Sequence, residues 1–174
     1  MTRIGLLSDT HGFLDENIIK HLENVDEIWH AGDFGTIAVS DKLSSVKPLK
    51  GVYGNVDGTE LRAVHPLHQR FRCEAVDVWI THIGGYPGHY APAVKSDIVS
   101  NTPDLFITGH SHILKVMRDI TFPKLLHMNP GAAGTHGFHH MRTMMRFTIH
   151  NKTIADVEVI ELGLRGDINS RSII

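Results

Sequence analysis

Five short segments of the chain carry side chains that bind metal ions, and three of them place such a side chain directly after a glycine. They are Asp9-Thr10-His11, Gly32-Asp33, Gly54-Asn55-Val56-Asp57, His82 and Gly109-His110-Ser111-His112. Carboxylate, imidazole and amide groups together suit a hard or borderline divalent cation. The chain contains 14 histidines but a single cysteine, Cys73. An intrachain disulfide and a thiolate cluster are therefore excluded, and histidine and carboxylate remain as the strong ligands.

Each of these segments, taken singly, also has an ordinary structural explanation. Aspartate and asparagine commonly form turns where strands end, and a lone histidine such as His82 is usually structural or exposed. His110 and His112 carry the strongest local signal, because side chains two residues apart can face one site or serve two adjacent ions. The set as a whole, rather than any one member, predicts a metal site.

Short apolar runs precede these segments and must position them. In the first third of the chain, strands are predicted over residues 4–7, 27–31 and 49–53, and helices over residues 15–24 and 38–46, with Asp15 as an N-cap. This alternation favours parallel strands joined by crossover helices. Sites in such folds gather at the carboxyl ends of the strands, so the five segments are expected to converge on one point.

In the second half of the chain, further strands are predicted before and after a single helix. Predicted here are a hairpin over residues 69–75 and 76–81, a helix over 91–100, a strand over 104–108, and later strands over 114–120, 125–128, 143–150 and 154–162. Several of these runs alternate apolar and polar residues, which is typical of antiparallel strands. The predicted fold class is α/β, with two packed sheets and helices outside them.

Length, charge and composition predict how many domains the chain has and which partners it binds. A length of 174 residues predicts a single domain over residues 1–174. A net charge of -2, without a basic and aromatic stripe, argues against binding of long nucleic acid. The sequence shows no signal-peptide core and no run of roughly 18 apolar residues, so a cytoplasmic protein with no membrane partner is expected. Association of identical chains is left open.

The order of the motifs, D-x-H, G-D, G-N-x-D, H and G-H-x-H, resembles the calcineurin-like metallophosphoesterase superfamily. The short length and the GNVD sequence make the chain similar to the small YfcE-type phosphodiesterase branch, whose relatives include Vps29. The resemblance runs from Asp9 to Asn129-Pro130-Gly131. It implies a four-layer α/β/β/α sandwich of two mixed sheets flanked by helices. It also implies a metal-dependent phosphoesterase, specifically a phosphodiesterase acting on small phosphodiesters.

The resemblance further implies a ligand set for two divalent metal ions. Asp9, His11 and His112 would bind one ion, Asn55, His82 and His110 the other, and Asp33 would bridge both. The catalytic set would be Asp33, Asn55, His82 and His110, with Asp57 orienting a ligand rather than binding metal. Manganese is preferred, while iron, nickel, zinc and magnesium suit the same donors. Two such ions would clamp an in-line attack of hydroxide on phosphorus.

Val56 departs from the superfamily pattern, in which many members have a histidine that protonates the leaving group. A general acid typically contributes roughly 10²–10⁴-fold. We therefore expect slow turnover of esters with poor leaving groups and faster turnover of activated aryl diesters. Four histidines are candidates to replace the missing acid: His89, His136, His139 and His140. The turn-rich segment over residues 82–90 is expected to form a lip over the site.

Two other functions compete with the phosphodiesterase. The alternative is a catalytically weak, Vps29-like protein-binding scaffold. Val56 favours this alternative, because the histidine that protonates the leaving group is absent. The presence of all seven expected ligand residues favours an enzyme. A nuclease of the same superfamily is disfavoured by the near-neutral charge.

Overall fold

The computed structural model describes residues 1–167 and 171–174, among which there are twelve strands and four helices. In chain order these are β1 (Thr2–Leu7), α1 (Glu16–Leu22), β2 (Glu27–His30), α2 (Ile37–Val46), β3 (Leu49–Gly51), α3 (Thr59–Val64), β4 (His68–Cys73), β5 (Val76–Thr81), β6 (Gly85–Tyr86), β7 (His89–Tyr90), α4 (Pro92–Ser100), β8 (Leu105–Ile107), β9 (Lys115–Arg118), β10 (Leu126–Asn129), β11 (Met141–His150) and β12 (Thr153–Leu164).

The first sheet has the order β12-β11-β1-β2-β3. It combines the three strands of the amino-terminal third with the last two strands of the chain. β1, β2 and β3 are parallel, with Leu7 beside His30 and His30 beside Gly51. β11 and β12 extend the sheet in antiparallel fashion on the other side of β1. The chain therefore leaves all three parallel strands at the same edge of the sheet.

The second sheet has the order β4-β5-β8-β10-β9. Its three central strands, β5, β8 and β10, are parallel, and the edge strands β4 and β9 are antiparallel to their neighbours. β6 and β7 form a separate two-stranded hairpin. Both sheets are mixed, as expected from the change of pattern along the sequence.

Three apolar clusters show how the layers pack. The cluster between the two sheets includes Ile4, Leu6 and Trp29 from the first sheet and Val78, Ile80 and Ile107 from the second. On the outer face of the first sheet, Leu7 and Ile28 pack against residues of α1, α2 and α3. On the outer face of the second sheet, Trp79 and Phe106 pack against Val94 and Ile98 of α4. The prediction of a four-layer α/β/β/α sandwich is therefore confirmed.

Two elements were not predicted, and both are short. α3 has six residues and buries only Leu61, so it has no apolar repeat to reveal it. The β6–β7 hairpin has two residues in each strand around Pro87-Gly88, within the segment predicted as a turn-rich lip. Asp15 caps α1 as predicted, because its Oδ1 accepts a hydrogen bond from the Ile18 amide at 2.9 Å.

None of the helices among the described residues is long and apolar enough to cross a membrane. The organisation of residues 1–174 as a single domain stays a prediction.

Candidate metal centre

The loops that carry the predicted ligand residues follow parallel strands of both sheets. These loops come after β1, β2 and β3 in the first sheet and after β5 and β8 in the second. Backbone hydrogen bonds tie neighbouring loops together, as when the Asp9 amide donates to the Gly32 carbonyl at 2.9 Å and the Gly109 amide to the His82 carbonyl at 3.1 Å. The packing of the two sheets brings the loops of both sheets to one place.

Asp9, His11 and His112 form the first group, with ligand atoms that all lie within 4.8 Å of one another. The Asp9 Oδ1 atom is 3.2 Å from His112 Nε2 and 3.9 Å from His11 Nε2. The Nε2 atoms of the two histidines are 3.2 Å apart. Three donors from loops of different sheets therefore point at a common position.

Asp33, His82 and His110 form the second group by the same distance criterion. His82 Nε2 is 3.2 Å from Asp33 Oδ2 and 3.1 Å from Asn55 Oδ1, so the asparagine joins this group. Asp33 Oδ2 also lies 3.9 Å from His11 Nε2 of the first group, between the two sets of donors. The structure thus brings all seven predicted residues together, with Asp33 in the second group and its Oδ2 facing the first.

The Asp9 carboxylate shows that these residues fit a cation. Its Oδ2 accepts hydrogen bonds from the Ser8 hydroxyl at 2.6 Å and the His110 amide at 3.1 Å. Its Oδ1 is buried and has no hydrogen-bond partner among the described residues, although His112 Nε2 lies 3.2 Å away. A buried, unsatisfied carboxylate oxygen is costly. A divalent cation coordinated by Oδ1 and the neighbouring imidazole nitrogens would satisfy it.

The backbone of the ligand loops is strained. Five of the seven predicted ligand residues have positive φ angles: Asp9 at 55°, His11 at 49°, Asp33 at 56°, His110 at 66° and His112 at 57°. Such conformations cost of order 1–3 kcal/mol each and cluster at functional sites. β1 ends at Leu7, and Asp9 and His11 are both left-handed, so the two side chains reach a common position without an extended backbone between them.

Hydrogen bonds at the far ring nitrogens orient two of the histidines. His82 Nδ1 lies 2.8 Å from the Ala31 carbonyl and therefore carries a proton, so in the neutral ring it is Nε2 that offers a lone pair to the second group. His139 Nε2 lies 3.0 Å from the Gly134 carbonyl, and His139 Nδ1 lies 3.2 Å from His112 Nδ1. A carbonyl only accepts, so His139 donates from Nε2 and accepts at Nδ1. His112 then donates from Nδ1 and keeps the Nε2 lone pair for the first group.

Sequence reasoning missed this position of His139, which it considered only as a replacement acid. No motif marks a histidine 27 positions from its partner, and only the loop between β10 and β11 brings the two rings together.

Asp57 joins two ligand loops through their backbones. Its carboxylate accepts hydrogen bonds from the amides of Phe34 at 3.2 Å, Gly35 at 2.8 Å and Gly54 at 2.8 Å. These bonds connect the loop after β2 to the loop after β3. Asp57 therefore holds the backbone beside Asp33, and its expected role of orienting a ligand would be exerted through the main chain. At Gly54 a Cβ atom would lie 2.0 Å from Asp33 Oδ1, so only glycine allows this approach.

The electrostatics of the centre favour cations. Burial lowers the pKa of His82, but its hydrogen bond to Asp33 and the charges of Asp9 and Asp33 outweigh burial and raise it. Burial raises the pKa of Asp33, but the hydrogen bond with His82 outweighs it and the pKa is lowered. Burial also lowers the pKa of His11, despite the nearby carboxylates, and so favours the neutral ring that binds metal.

The four candidate replacement acids lie in different places. His136 lines the same cavity as the ligand groups, and its ring is 5.1 Å from the ring of His11. His139 is engaged with His112, His140 lines a different cavity beside Arg165, and His89 lies on β7. His136 and His139 thus line the cavity of the ligand groups, whereas His89 lines a second cavity beside His82 and His110.

Together, the two mixed sheets and the carboxylate and histidine groups at their carboxyl edge define an α/β sandwich protein with a metal-type centre. The calcineurin-like phosphoesterase superfamily domain matches residues 2–152. The chain belongs to this family, whose members use divalent metal ions.

Known proteins that are similar to the chain agree with this assignment. A probable metallophosphoesterase of Methanothermobacter thermautotrophicus is 27% identical over 139 residues, covering 74% of this chain and 76% of that protein. The solved structure of an archaeal phosphodiesterase aligns with a TM-score of 0.70 at 23% identity, over 91% of this chain and 99% of the other. Vps29 of Chaetomium thermophilum aligns with a TM-score of 0.71 at 18% identity, over 92% and 97%. At identities of 23% and 18%, these two solved structures show only that the chain shares their fold.

Proposed function

We propose that the protein is a phosphodiesterase that hydrolyses small phosphodiesters with two divalent metal ions. The observation that carries this proposal is the pair of adjacent ligand groups, with Asp33 Oδ2 between them, 3.2 Å from His82 Nε2 and 3.9 Å from His11 Nε2. Asp9, His11 and His112 would hold one ion, and Asn55, His82 and His110 the other. The similarity in fold to an archaeal phosphodiesterase supports a diester substrate. Manganese is the ion that we would test first.

When bound, two ions supply hydroxide near neutral pH and offset the negative charge of the phosphate. The chain's own residues position the reacting groups. Asp33 lies between the two ligand groups, and the hydrogen bond from the Val56 amide to its Oδ1, at 3.0 Å, holds its orientation. Asn55 directs its Oδ1 towards His82, so its amide nitrogen is left to donate to a phosphate oxygen. His82 and His110 present their rings 5.2 Å apart on the substrate side.

The test is a panel of phosphomonoesters and phosphodiesters assayed with metal-stripped protein. Manganese, iron, nickel, zinc and magnesium are added back separately. We expect activity to return with at least one metal, at a stoichiometry of two ions per chain, and to be highest on aryl diesters. Asp33→Asn is expected to lower both metal binding and turnover, whereas Asp41→Asn, an exposed change on α2, serves as the control. No hydrolysis with any of the metals would refute the proposal.

A protein-binding scaffold is the second candidate function. Vps29 structures align with this chain at TM-scores of 0.70 and 0.71, and Val56 offers no proton to a leaving group. Against it stand the convergence of all seven ligand residues and the unsatisfied Asp9 Oδ1. A protein that binds metal but hydrolyses none of the esters would favour the scaffold. The cytoplasmic location and the association of identical chains stay predictions.

A further inference from the structure

A second cavity, of about 250 Å³, opens beside the metal centre. It lies between the β6–β7 hairpin and the carboxyl edge of the second sheet, and His82 and His110 line both this cavity and the second ligand group. A phosphate held at the centre would therefore lie next to this cavity, where one of its ester substituents could be placed.

The floor of the cavity comes from β9 and β10. Lys115 pairs with Asn129 and Met117 with His127 across these two strands, and residues two apart on a strand share a face. Lys115, Asn129 and His127 therefore lie on the same face, and all three line the cavity. Asn129 and His127 are buried.

The cavity carries a cation and an unsatisfied polar atom but no carboxylate. Lys115 Nζ lies 3.4 Å from the centre of the Tyr86 ring, and none of the described carboxylates forms an ion pair with it. His127 is 1% exposed, and its Nδ1 has no hydrogen-bond partner among the described residues. No aspartate or glutamate lines the cavity. These polar groups suit a ligand that brings hydrogen-bonding atoms, and acceptors in particular.

The walls of the cavity are flat and apolar. The rings of Tyr86 and His89 lie 5.0 Å apart on the hairpin, and Gly84, Ala91 and Ile113 add apolar surface. Pockets for drug-sized ligands run from roughly 300 to 1,000 Å³, so this cavity suits one ring system rather than a long chain. Aromatic side chains beside such a space favour a planar ring.

We propose that this cavity is the subsite for the organic group esterified to the phosphate, and that it takes a planar heteroaromatic ring with hydrogen-bond acceptors, of the nucleobase class. The proposal rests on the proposed function, because the metal centre is what places the phosphate next to the cavity. Tyr86 supplies the aromatic wall, Lys115 donates to an acceptor on the ring, and His127 offers a buried nitrogen at the floor.

The experiment compares three probes by calorimetry on the manganese-loaded protein: inorganic phosphate, phenyl phosphate and thymidine 5′-monophosphate. We expect the nucleotide to bind most tightly, at least tenfold more tightly than inorganic phosphate. Tyr86→Ala and Lys115→Met are each expected to reduce nucleotide affinity about tenfold, on the scale of one base–aromatic contact, while phosphate affinity is kept. Tyr86→Phe should retain most of the affinity. Lys95→Met, an equal loss of charge at an exposed position of α4, is the control.

The outcomes separate the subsite from the metal centre. Equal affinity of the wild-type protein for phosphate and nucleotide would overturn the subsite and leave the metal centre standing. Phenyl phosphate bound as tightly as the nucleotide would contradict the roles of Lys115 and His127. If no probe binds to the manganese-loaded protein, the hydrolysis assay decides the proposed function, and thymidine titrated into metal-free protein then tests the cavity by NMR. Shifts at Tyr86 and Lys115 would support the subsite, and their absence would refute it.

Discussion

At the scale of single residues, His139 shows how a side chain outside the ligand set can control a ligand. It connects the Gly134 carbonyl to His112 Nδ1 through contacts of 3.0 and 3.2 Å. Such a connection fixes both the tautomer and the ring orientation of a metal-binding histidine. We infer that His139 is a positioning residue, and the role of His112 as a ligand remains part of the proposed function.

We predict that His139→Ala lowers manganese affinity by about 10–100-fold, the range typical of partners behind a metal ligand. His112 would lose its acceptor at Nδ1 and would sample the tautomer whose Nε2 is protonated. Calorimetric titration of stripped protein measures the change. His140→Ala removes the neighbouring histidine and is expected to bind manganese like the wild type. Unchanged affinity in His139→Ala would contradict the inference.

Val56 leads to a second prediction at this scale. The side chain is 50% exposed beside the ligand groups, so a larger residue can be accommodated there. Val56→His is expected to raise turnover of alkyl esters by up to about 10²-fold and to change aryl diester turnover little, because only the poor leaving groups need a proton. Steady-state kinetics on paired substrates measures this. Val64→His, on a side chain that is 59% exposed on α3, is the matched control. Equal gains on both substrates would argue against a missing acid.

At the scale of elements, a buried ion pair fastens α1 to β11. One oxygen of Asp15 caps α1, and the other lies 2.9 Å from the guanidinium of Arg142, which is fully buried and also donates to the Ala133 carbonyl. The Asp15 side chain thus holds the end of the loop between β1 and α1, which carries Asp9 and His11.

We predict that Asp15→Ala lowers the free energy of unfolding by roughly 3–5 kcal/mol, since it removes a cap and breaks the ion pair that Asp15 forms with the buried Arg142. Urea unfolding followed by circular dichroism measures the loss. Asp41→Ala, at an exposed position inside α2, is expected to change stability by less than about 0.5 kcal/mol. A comparable loss in both variants would show that the ion pair contributes nothing specific.

The long apolar strands and the main helices were predictable from local pattern because burial imposes a period of two or of 3.6 residues. α1, for example, buries Ile18 and Leu22 at helical spacing, and Asp15 marks its start. α3 and the β6–β7 hairpin were not predictable in this way. Each of them is too short to show a periodic apolar face of its own.

At the scale of the whole molecule, buried histidines make stability depend on pH. Burial lowers the pKa of His127 to about 4, and the nearby Lys115 adds to this, while a backbone hydrogen bond with Phe106 opposes it. In the unfolded chain a histidine titrates near 6.5. Between these values the unfolded state binds a proton that the folded state does not, so stability falls as the pH is lowered.

We predict that His127 alone accounts for a loss of about 3 kcal/mol as the pH falls from 6.5 to 4, and for none above 6.5. His127→Phe should remove this part of the pH dependence, since phenylalanine binds no proton. Urea unfolding at several pH values measures the difference between the variant and the wild type. His150→Phe, at an exposed position, is the control and should keep the wild-type dependence. Parallel profiles for wild type and His127→Phe would contradict the prediction.

The sequence by itself predicted the kind of chemistry and determined the main elements that carry the candidate residues. The residue types at Asp9, Asp33 and His110 and their places after apolar runs were enough to predict a metal site at strand ends in an α/β sandwich, because local pattern reports burial. Only the tertiary structure decided the distances between the donors and the position of His139 behind His112. It also placed the second cavity beside His110. These relations join residues far apart in the chain through left-handed loops, and no local periodicity encodes where such loops meet.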